Sequence, residues 1–147
     1  MRKFFCVLCL IASLLVVQGC SIPNTNNSQN KYENKELGFS VEFPSTWKGK
    51  YSVELNTADK SSSSVVIKTS WGGILCYIFR DTQEQWKESQ QIESPVDYTL
   101  LAENDEFAYI LIPASDVQYD VNDEEQAKVY NDMRNSLNEI KFEIIKN

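Results

Sequence analysis

Two short runs of apolar residues decide the fold, and the first reads Ile74-Leu75-Cys76-Tyr77-Ile78-Phe79. Successive side chains of a β-strand point to opposite faces of its sheet, so a strand that is apolar at every position must be covered on both faces. The second run, residues 107–112, follows a polar turn at residues 104–106 and a further strand pattern at residues 98–103. These runs predict a hairpin and two interior strands of a sheet that has other layers packed on both sides.

Alternating apolar and polar residues, or β-branched composition, predict the remaining strands. Phe39, Val41 and Phe43 fall on one face of the first strand, and the pair Gly72-Gly73 indicates a tight hairpin. The other predicted strands lie at residues 51–55, 65–70 and 142–144. We therefore expect one antiparallel sheet of about six or seven strands.

The sequence also predicts two helices. The first spans residues 83–91, with Asp81 or Thr82 as its N-cap. The second is the clearer one, because its apolar residues recur at steps of three or four and Asn122 or Asp123 can cap it. Its apolar face comprises Ala127, Tyr130, Met133, Leu137 and Ile140. The expected fold class is α+β, an antiparallel sheet with helices on both faces.

The first twenty residues carry a targeting signal. Arg2 and Lys3 precede a mainly apolar run of fourteen residues (4–17), which is shorter than the roughly 20 residues that a membrane-spanning helix needs. A basic start followed by an apolar run of this length is typical of secretory signal peptides. The run closes with Val17-Gln18-Gly19-Cys20, and polar sequence follows from Ser21.

These closing residues resemble the lipobox of bacterial lipoproteins, in which a branched apolar, a variable and a small residue precede a cysteine. The resemblance implies that residues 1–19 are removed as a signal peptide and that the Cys20 thiol carries a diacylglycerol. Two or three acyl chains hold a protein durably on a bilayer, whereas one does not. An ordinary cleaved signal peptide and an uncleaved anchor are the alternatives. The expected location is extracytoplasmic, at a cell membrane, through the lipid on Cys20.

Beyond Cys20 the sequence indicates a tether followed by one domain. Residues 20–31 are polar and have little to bury, so we expect a flexible tether, of which the ten residues 21–30 span about 17 Å on average. Residues 32–147 have the normal length of a single globular domain with its own core.

Composition excludes several classes of function. The chain has no histidine, which removes Ser-His-Asp and Cys-His nucleophiles and imidazole-dependent metal sites. A net charge of −7 argues against nucleic acid as a partner. Cys6 and Cys9 lie in the predicted signal peptide, so Cys76 is the remaining cysteine of the domain, and its apolar neighbours predict an inert core thiol. We expect no catalytic residue, no metal ion and no cofactor.

A second resemblance rests on Tyr32, the run Leu37-Gly38-Phe39-Ser40-Val41-Glu42-Phe43-Pro44 and Trp47, which look like the opening pattern of the PsbP-like superfamily. It implies an α/β/α sandwich around an antiparallel sheet, and a role in binding proteins rather than in catalysis. Residues 113–120 are also similar to small secreted lipoproteins of Gram-positive bacteria that have no assigned activity. No site residue of the family maps onto this chain. We expect Trp47 to close one edge of the core, and contact with a ligand is the alternative.

Charge is distributed unevenly along the predicted domain. Residues 32–80 hold six basic and five acidic side chains, whereas residues 81–147 hold five basic and sixteen acidic ones. The acidic run at residues 116–125 could supply oxygen ligands to Ca²⁺, but it lacks the glycine and ligand spacing of a calcium loop. Capping of the second helix explains it better. If the acidic half forms one face, anionic headgroups repel that face and turn it away from a membrane.

The sequence therefore predicts a membrane-anchored, non-catalytic lipoprotein that binds or scaffolds an envelope protein. The alternative is a small-ligand-binding or enzyme-accessory lipoprotein whose pocket is lined by Trp71, Trp86 and Tyr119. A hydrolase that uses paired carboxylates is a third alternative. A deep pocket with converging acids or aromatic rings would favour the last two, and a shallow charged surface would favour the first.

Overall fold

The computed structural model describes residues 30–56, 63–92 and 96–145, and within these ranges the chain forms eight strands and two α-helices. The strands are β1 (Lys31–Asn34), β2 (Phe39–Glu42), β3 (Tyr51–Asn56), β4 (Ser63–Thr69), β5 (Ile74–Thr82), β6 (Thr99–Glu103), β7 (Phe107–Pro113) and β8 (Lys141–Ile144). The helices are α1 (Gln83–Ser89) and α2 (Glu124–Asn135), and single 3₁₀ turns lie at Ser45–Trp47 and Leu137–Glu139. The α+β class is confirmed. The predicted signal peptide 1–19, Cys20 and tether residues 21–29 lie outside the described residues.

The strands form two antiparallel sheets, which corrects the expectation of a single sheet of six or seven strands. One sheet has five strands in the order β3-β4-β5-β7-β6, and the other has three in the order β1-β2-β8. β2 does not continue into the larger sheet because the chain turns after Pro44 through a 3₁₀ turn, and Gly49 takes a positive φ of 76° before β3 begins. Alternation along a strand identifies its apolar face but not the strand with which it pairs.

The two apolar runs lie side by side in the interior of the five-stranded sheet, as β5 and β7. On one face Ile78 and Leu111 are almost inaccessible to solvent, and on the other face Ile110 is 5% exposed. The hairpin that leads into β5 turns at Gly72, whose φ of 91° suits glycine. The predicted interior position of the two runs in the sheet and the predicted hairpin at Gly72-Gly73 are therefore confirmed.

The core lies between the two sheets. The ring of Phe39 in β2 stacks on Phe142 of β8 with 5.1 Å between ring centres, and it meets the edge of Tyr109 of β7 at 5.7 Å. Tyr130 and Met133 of α2 complete this cluster and are almost fully buried. One continuous cluster therefore joins the small sheet, the large sheet and the second helix.

The two helices pack in different places. α1 follows β5 directly, and Thr82 is its N-cap in a capping box with Gln85. Trp86 of α1 packs edge-on against Tyr98 at 5.7 Å, and neither ring belongs to the core cluster. α1 therefore lies outside the layer between the sheets, against β5 and β7.

α2 begins directly after the predicted cap Asp123, but it ends before Leu137 and Ile140, the last two residues of its predicted apolar face. It ends at Asn135 because the hydroxyl of Ser136 turns back to the carbonyls of Asp132 and Met133, a bond that competes with helix continuation. The chain continues as the 3₁₀ turn, which keeps Leu137 and Ile140 partly buried against the core. Of the predicted apolar face, Tyr130, Met133, Leu137 and Ile140 therefore contact the core, although the α-helix does not continue to the last two.

Asn30, the first residue that the structure describes, already belongs to the fold, two residues before the predicted start of the domain. The Asn30 side-chain amide donates a hydrogen bond to the carbonyl of Pro44 at 2.6 Å, and Asn30 takes a positive φ of 54°. Lys31 then starts β1, a strand the sequence analysis missed because Tyr32 is its single apolar residue. The tether predicted at residues 20–31 therefore ends no later than residue 29.

Candidate functional site

An open cleft of about 420 Å³ lies where the three-stranded sheet meets the hairpin between β6 and β7. On one side it is bounded by the turn between β1 and β2 and by the end of β8. On the other side it is bounded by the start of β7 and the turn before it. The cleft is lined, among others, by Glu36, Gly38, Arg80, Asn104, Glu106, Phe107, Tyr109, Ile144 and Ile145.

The wall formed by the β1–β2 turn is fixed to the large sheet. Gly38 takes a φ of 75°, and a Cβ at this position would lie 3.3 Å from the Tyr109 hydroxyl. That hydroxyl donates a hydrogen bond to the carbonyl of Leu37 at 2.9 Å. Glycine thus lets the turn approach β7 closely, and the buried tyrosine holds it there.

Arg80 supplies the positive charge of the cleft. Its Cζ lies 4.5 Å from the centre of the Phe107 ring, and its Nη1 donates a hydrogen bond to the Glu36 carbonyl at 3.0 Å. These two contacts hold the guanidinium in one orientation. In the part of the chain that the structure describes, no carboxylate lies within ion-pair distance of it, and the ion pairs found there all use lysines.

The charges around the cleft are mixed. Glu36 and Glu106 stand exposed on its two sides, and the half-buried Arg80 lies between the elements that carry them. Burial raises the pKa of Tyr109, and the nearby charge of Arg80 lowers it in part. The phenol therefore remains neutral near pH 7, and Arg80 is the cation available to a ligand here.

A second open cleft, of about 390 Å³, lies between the 3₁₀ turn after β2 and the end of α2. Lys50, Asp132 and Glu139 give it mixed charges. Its wall includes Trp47, whose side chain is fully buried and whose Nε1 donates to the Ser136 hydroxyl at 2.8 Å. The prediction that Trp47 closes an edge of the core is confirmed.

The aromatic residues proposed to line a pocket lie in two places. Trp71 donates from Nε1 to the carbonyl of Gln118 at 3.1 Å, and the neighbouring Tyr119 packs on Tyr130 at 5.3 Å. Both belong to the margin of the core. Trp86 instead contacts Tyr98 beside α1. The structure therefore brings Trp71 and Tyr119 into one region and leaves Trp86 in another.

Cys76 is a free thiol with no solvent exposure, as predicted. Burial raises its pKa far above the ordinary value for a thiol. Because the thiolate is the reactive form, this cysteine is neither a nucleophile nor a metal ligand near neutral pH.

The acidic run before α2 is used for capping. The Asp123 carboxylate accepts hydrogen bonds from the backbone amides of Glu125 and Gln126, and the Asp120 carboxylate accepts one from the amide of Asn122. Across residues 30–56, 63–92 and 96–145 there is no group of three or more acidic or cysteine side chains that could hold a metal ion.

Arg80 was not predicted from the sequence to be a site residue. Residues 30–145 contain two arginines, and Arg80 directly follows the apolar run that decides the fold. An arginine at the end of an interior strand must bring its charge to the surface beside the core, and that position was the available signal. Its juxtaposition with Glu36 depends on the meeting of two sheets, which the sequence does not reveal.

No helix among the described residues is long and apolar enough to cross a membrane. The comparisons with protein-family models, curated proteins and solved structures find no match for this chain.

Proposed function

We propose that the protein is a membrane-anchored, extracytoplasmic lipoprotein whose domain is a non-catalytic binding or scaffolding module of the cell envelope. One observation carries this proposal: the chain enters the domain at one end of the three-stranded sheet, and the Arg80 cleft lies at the other end. Asn30 is ten residues beyond Cys20. A lipid on Cys20 would therefore hold the domain by the first end and leave the cleft facing away from the bilayer.

The pairing of the strands supports this geometry. Lys31, Glu42 and Lys141 lie side by side at the end where the chain enters, and Asn34, Phe39 and Ile144 lie side by side at the cleft. Three residue steps of strand separate the two rows and cover about 10 Å. Together with a tether of about 17 Å, this distance suffices to hold the cleft clear of the lipid headgroups.

We further propose that the layers correspond to the α/β/α sandwich of PsbP-like proteins. The position of α1 outside the core and the contribution of Tyr130 and Met133 of α2 to the core support a helix on each side of the five-stranded sheet.

A non-catalytic role is supported by the state of the residues that usually carry catalysis. The sequence lacks histidine, and Cys76 is buried and protonated. In the described ranges, the exposed carboxylates are open to solvent, and the carboxylate of Asp123 caps α2.

A second candidate, binding of a small ligand, is favoured by the cleft itself. Its volume of about 420 Å³ falls within the range of small-molecule sites, and it combines an oriented cation with the apolar surfaces of Phe107 and Ile144. Ligand binding and scaffolding are compatible if the ligand is part of an envelope polymer or protein.

Replacement of Cys20 tests the anchor. The Cys20→Ser chain should lose incorporation of a radiolabelled fatty acid and leave the membrane fraction, because the lipid is the proposed attachment. Cys9→Ser, which changes a cysteine of the predicted signal peptide, should keep both. If the Cys20→Ser chain sediments with membranes as fully as the native chain, and neither takes up label, the anchored lipoprotein proposal is wrong.

Capture from an envelope extract tests the scaffolding role. The buried core draws on residues between 37 and 133, so a soluble chain of residues 30–147 retains all of it. Recovery of a defined envelope protein by this fragment, lost when the extract is pre-cleared with excess free fragment, supports scaffolding. Recovery of no protein, together with a thermal shift on addition of a small ligand, favours the second candidate.

A further inference from the structure

We propose that the Arg80 cleft binds a small zwitterion, a ligand that carries a free carboxylate and a free ammonium group, as amino acids and short peptides with free ends do. This inference rests on the cleft being the binding surface of the proposed function. The ligand chemistry follows from the guanidinium, amide, carboxylate and apolar groups of the residues that line the cleft.

Arg80 provides the carboxylate site. A guanidinium has five N–H donors in a planar fork that matches a carboxylate, and here a single one is used, by the Glu36 carbonyl. Stacking over Phe107 at 4.5 Å fixes the plane of the fork. Among the described residues no carboxylate lies within 4.0 Å, so the remaining donors are available to a ligand.

Asn104 provides a neutral donor on the same side. Its side-chain oxygen accepts hydrogen bonds from the backbone amides of Glu106 and Phe107 at 2.9 and 2.8 Å, which fixes the orientation of the amide group. Asn104 is one of the residues that line the cleft, and its NH₂ group, which these two bonds do not use, remains as a donor. A carboxylate can therefore meet one charged and one neutral donor.

The two glutamates explain why the ligand also carries an ammonium group. Glu36 and Glu106 line the same cleft and are exposed, so a ligand with negative charge alone meets two carboxylates for each guanidinium. Repulsion of this kind selects against phosphate and other multiply charged anions. A zwitterion places its carboxylate on Arg80 and its ammonium group near a glutamate, and thus uses both signs of charge.

Apolar surface completes the site. Phe107, Ile144 and Ile145 contribute side chains to the lining, and they suit a short aliphatic group on the ligand. Leucine is therefore a suitable probe, because its acetylated and amidated forms remove one charge each without changing the side chain.

The test uses isothermal titration calorimetry with the full chain in mild detergent, purified from whichever fraction contains it, so that its outcome does not depend on the anchor. The probes are leucine in both enantiomers, the dipeptide alanyl-leucine, N-acetylleucine, leucinamide and inorganic phosphate. We expect at least one of the free zwitterions to bind, and the blocked forms and phosphate to bind about tenfold more weakly or not at all.

Variants assign the binding to the cleft. Arg80→Gln should weaken zwitterion binding about tenfold or more, and Arg80→Lys should restore it in part because the charge returns without the fork. Arg134→Gln is the matched control, since Arg134 also donates to a backbone carbonyl, that of Ala114, but outside the cleft. Glu106→Gln should weaken zwitterion binding and strengthen binding of N-acetylleucine, because it removes one of the two repelling carboxylates. Unchanged circular dichroism in the near ultraviolet confirms that each variant is folded.

Three results would overturn the inference. The first is no binding of leucine or of the dipeptide to the folded protein. The second is phosphate or N-acetylleucine binding as tightly as the zwitterions. The third is an equal loss of binding in Arg80→Gln and Arg134→Gln. A chain that passes this test but fails the Cys20→Ser experiment would be a zwitterion-binding protein without a lipid anchor.

Discussion

Gly73 is the residue at which the fold tolerates a side chain least. A Cβ at this position would lie 2.0 Å from the backbone oxygen of Gln118 and 3.0 Å from Nε1 of Trp71. The carbonyl of Gly73 also accepts hydrogen bonds from the amide and the hydroxyl of Thr69, which keeps the hairpin in place. The β4–β5 hairpin therefore packs against residue 118 through a position that requires glycine.

We predict that Gly73→Ala lowers the free energy of unfolding by about 3 kcal/mol, because neither the hairpin nor residue 118 can move away without breaking hydrogen bonds. Gly49→Ala is the control, since Gly49 has a positive φ but no atom within 4 Å of the added Cβ. It should cost about 1 kcal/mol of backbone strain. Urea denaturation measures the free energy of unfolding of both variants. If Gly73→Ala and Gly49→Ala lose the same amount, the steric overlap at Gly73 is relieved in the folded protein and the prediction is wrong.

Asp81 gives the domain a defined pH dependence. Burial raises the pKa of its carboxyl group, so the native state binds this proton more tightly than the unfolded chain does. The resulting stability is fully present below the ordinary pKa of 3.8 and is lost as the pH rises through the higher native pKa.

We predict that Asp81→Asn unfolds at a higher urea concentration than the native chain at pH 7, and that the difference disappears below about pH 4. The asparagine avoids burial of an ionised group while keeping the size of the side chain. Asp105→Asn, in the exposed turn before β7, serves as the control and should leave the midpoint unchanged at both pH values. A stabilising effect of Asp81→Asn that is equal at both pH values would contradict this account.

Single residues differ in how well the sequence predicts them. Cys76 was predicted to be buried because its neighbours in the sequence are apolar, and Trp47 because it ends the turn that begins at Pro44. Arg80 was missed because its role depends on Glu36 and Phe107, which come from different parts of the chain. Local sequence predicts the burial of a residue when its contacts come from nearby in the chain. It does not predict the role of a residue whose contacts come from another sheet.

At the scale of elements, helix caps follow from sequence more closely than helix lengths. Thr82 and Asp123 were each one of two candidate caps, and each makes the expected bonds to backbone amides. The end of α2 was misplaced because the Ser136 hydroxyl bonds back to the carbonyls of Asp132 and Met133, while it accepts a hydrogen bond from Trp47, 89 positions away in sequence. β1 was missed because its pairing with β2, rather than its own composition, makes it a strand.

The cap of α2 also tests the calcium alternative. We predict that Asp123→Ala lowers the free energy of unfolding by about 1 kcal/mol, since two backbone amides of the first turn lose their acceptor. Asp123→Asn should cost less because it retains an acceptor. Addition of millimolar Ca²⁺ should leave the melting temperature of the native chain unchanged beyond the effect of ionic strength. A rise in melting temperature that is abolished by Asp123→Ala would instead reveal a calcium site.

At the scale of the whole molecule, the number of sheets is the feature that the sequence did not determine. Seven of the eight strands were predicted, and Phe39, Val41 and Phe43 are buried as expected, yet β2 pairs with β8 at the other end of the chain. Such pairing depends on where the β2 segment turns and on which apolar faces must meet. The position of the cleft follows from this pairing, and it was equally beyond prediction.

The same pairing sets how an anchored domain stands on a membrane. Lys141 marks the end at which the chain enters and is 73% exposed, whereas Glu106 is exposed at the cleft. Lys141→Cys and Glu106→Cys therefore offer two labelling sites at opposite ends, and the buried Cys76 should not react with the label. We predict stronger quenching of a fluorophore at position 141 than at position 106 when lipidated protein is placed in vesicles with a headgroup quencher.

This difference requires the tether to favour one orientation over free tumbling. The tether attaches at Asn30, at the same end of the sheet as Lys141, so each orientation that brings the cleft to the surface must fold the tether back along the domain. Glu36 and Glu106 at the cleft add repulsion from anionic headgroups, and raising the salt concentration should reduce the difference in quenching. Equal quenching at the two positions at low salt would mean that the anchor does not orient the domain, and that the cleft is not preferentially displayed.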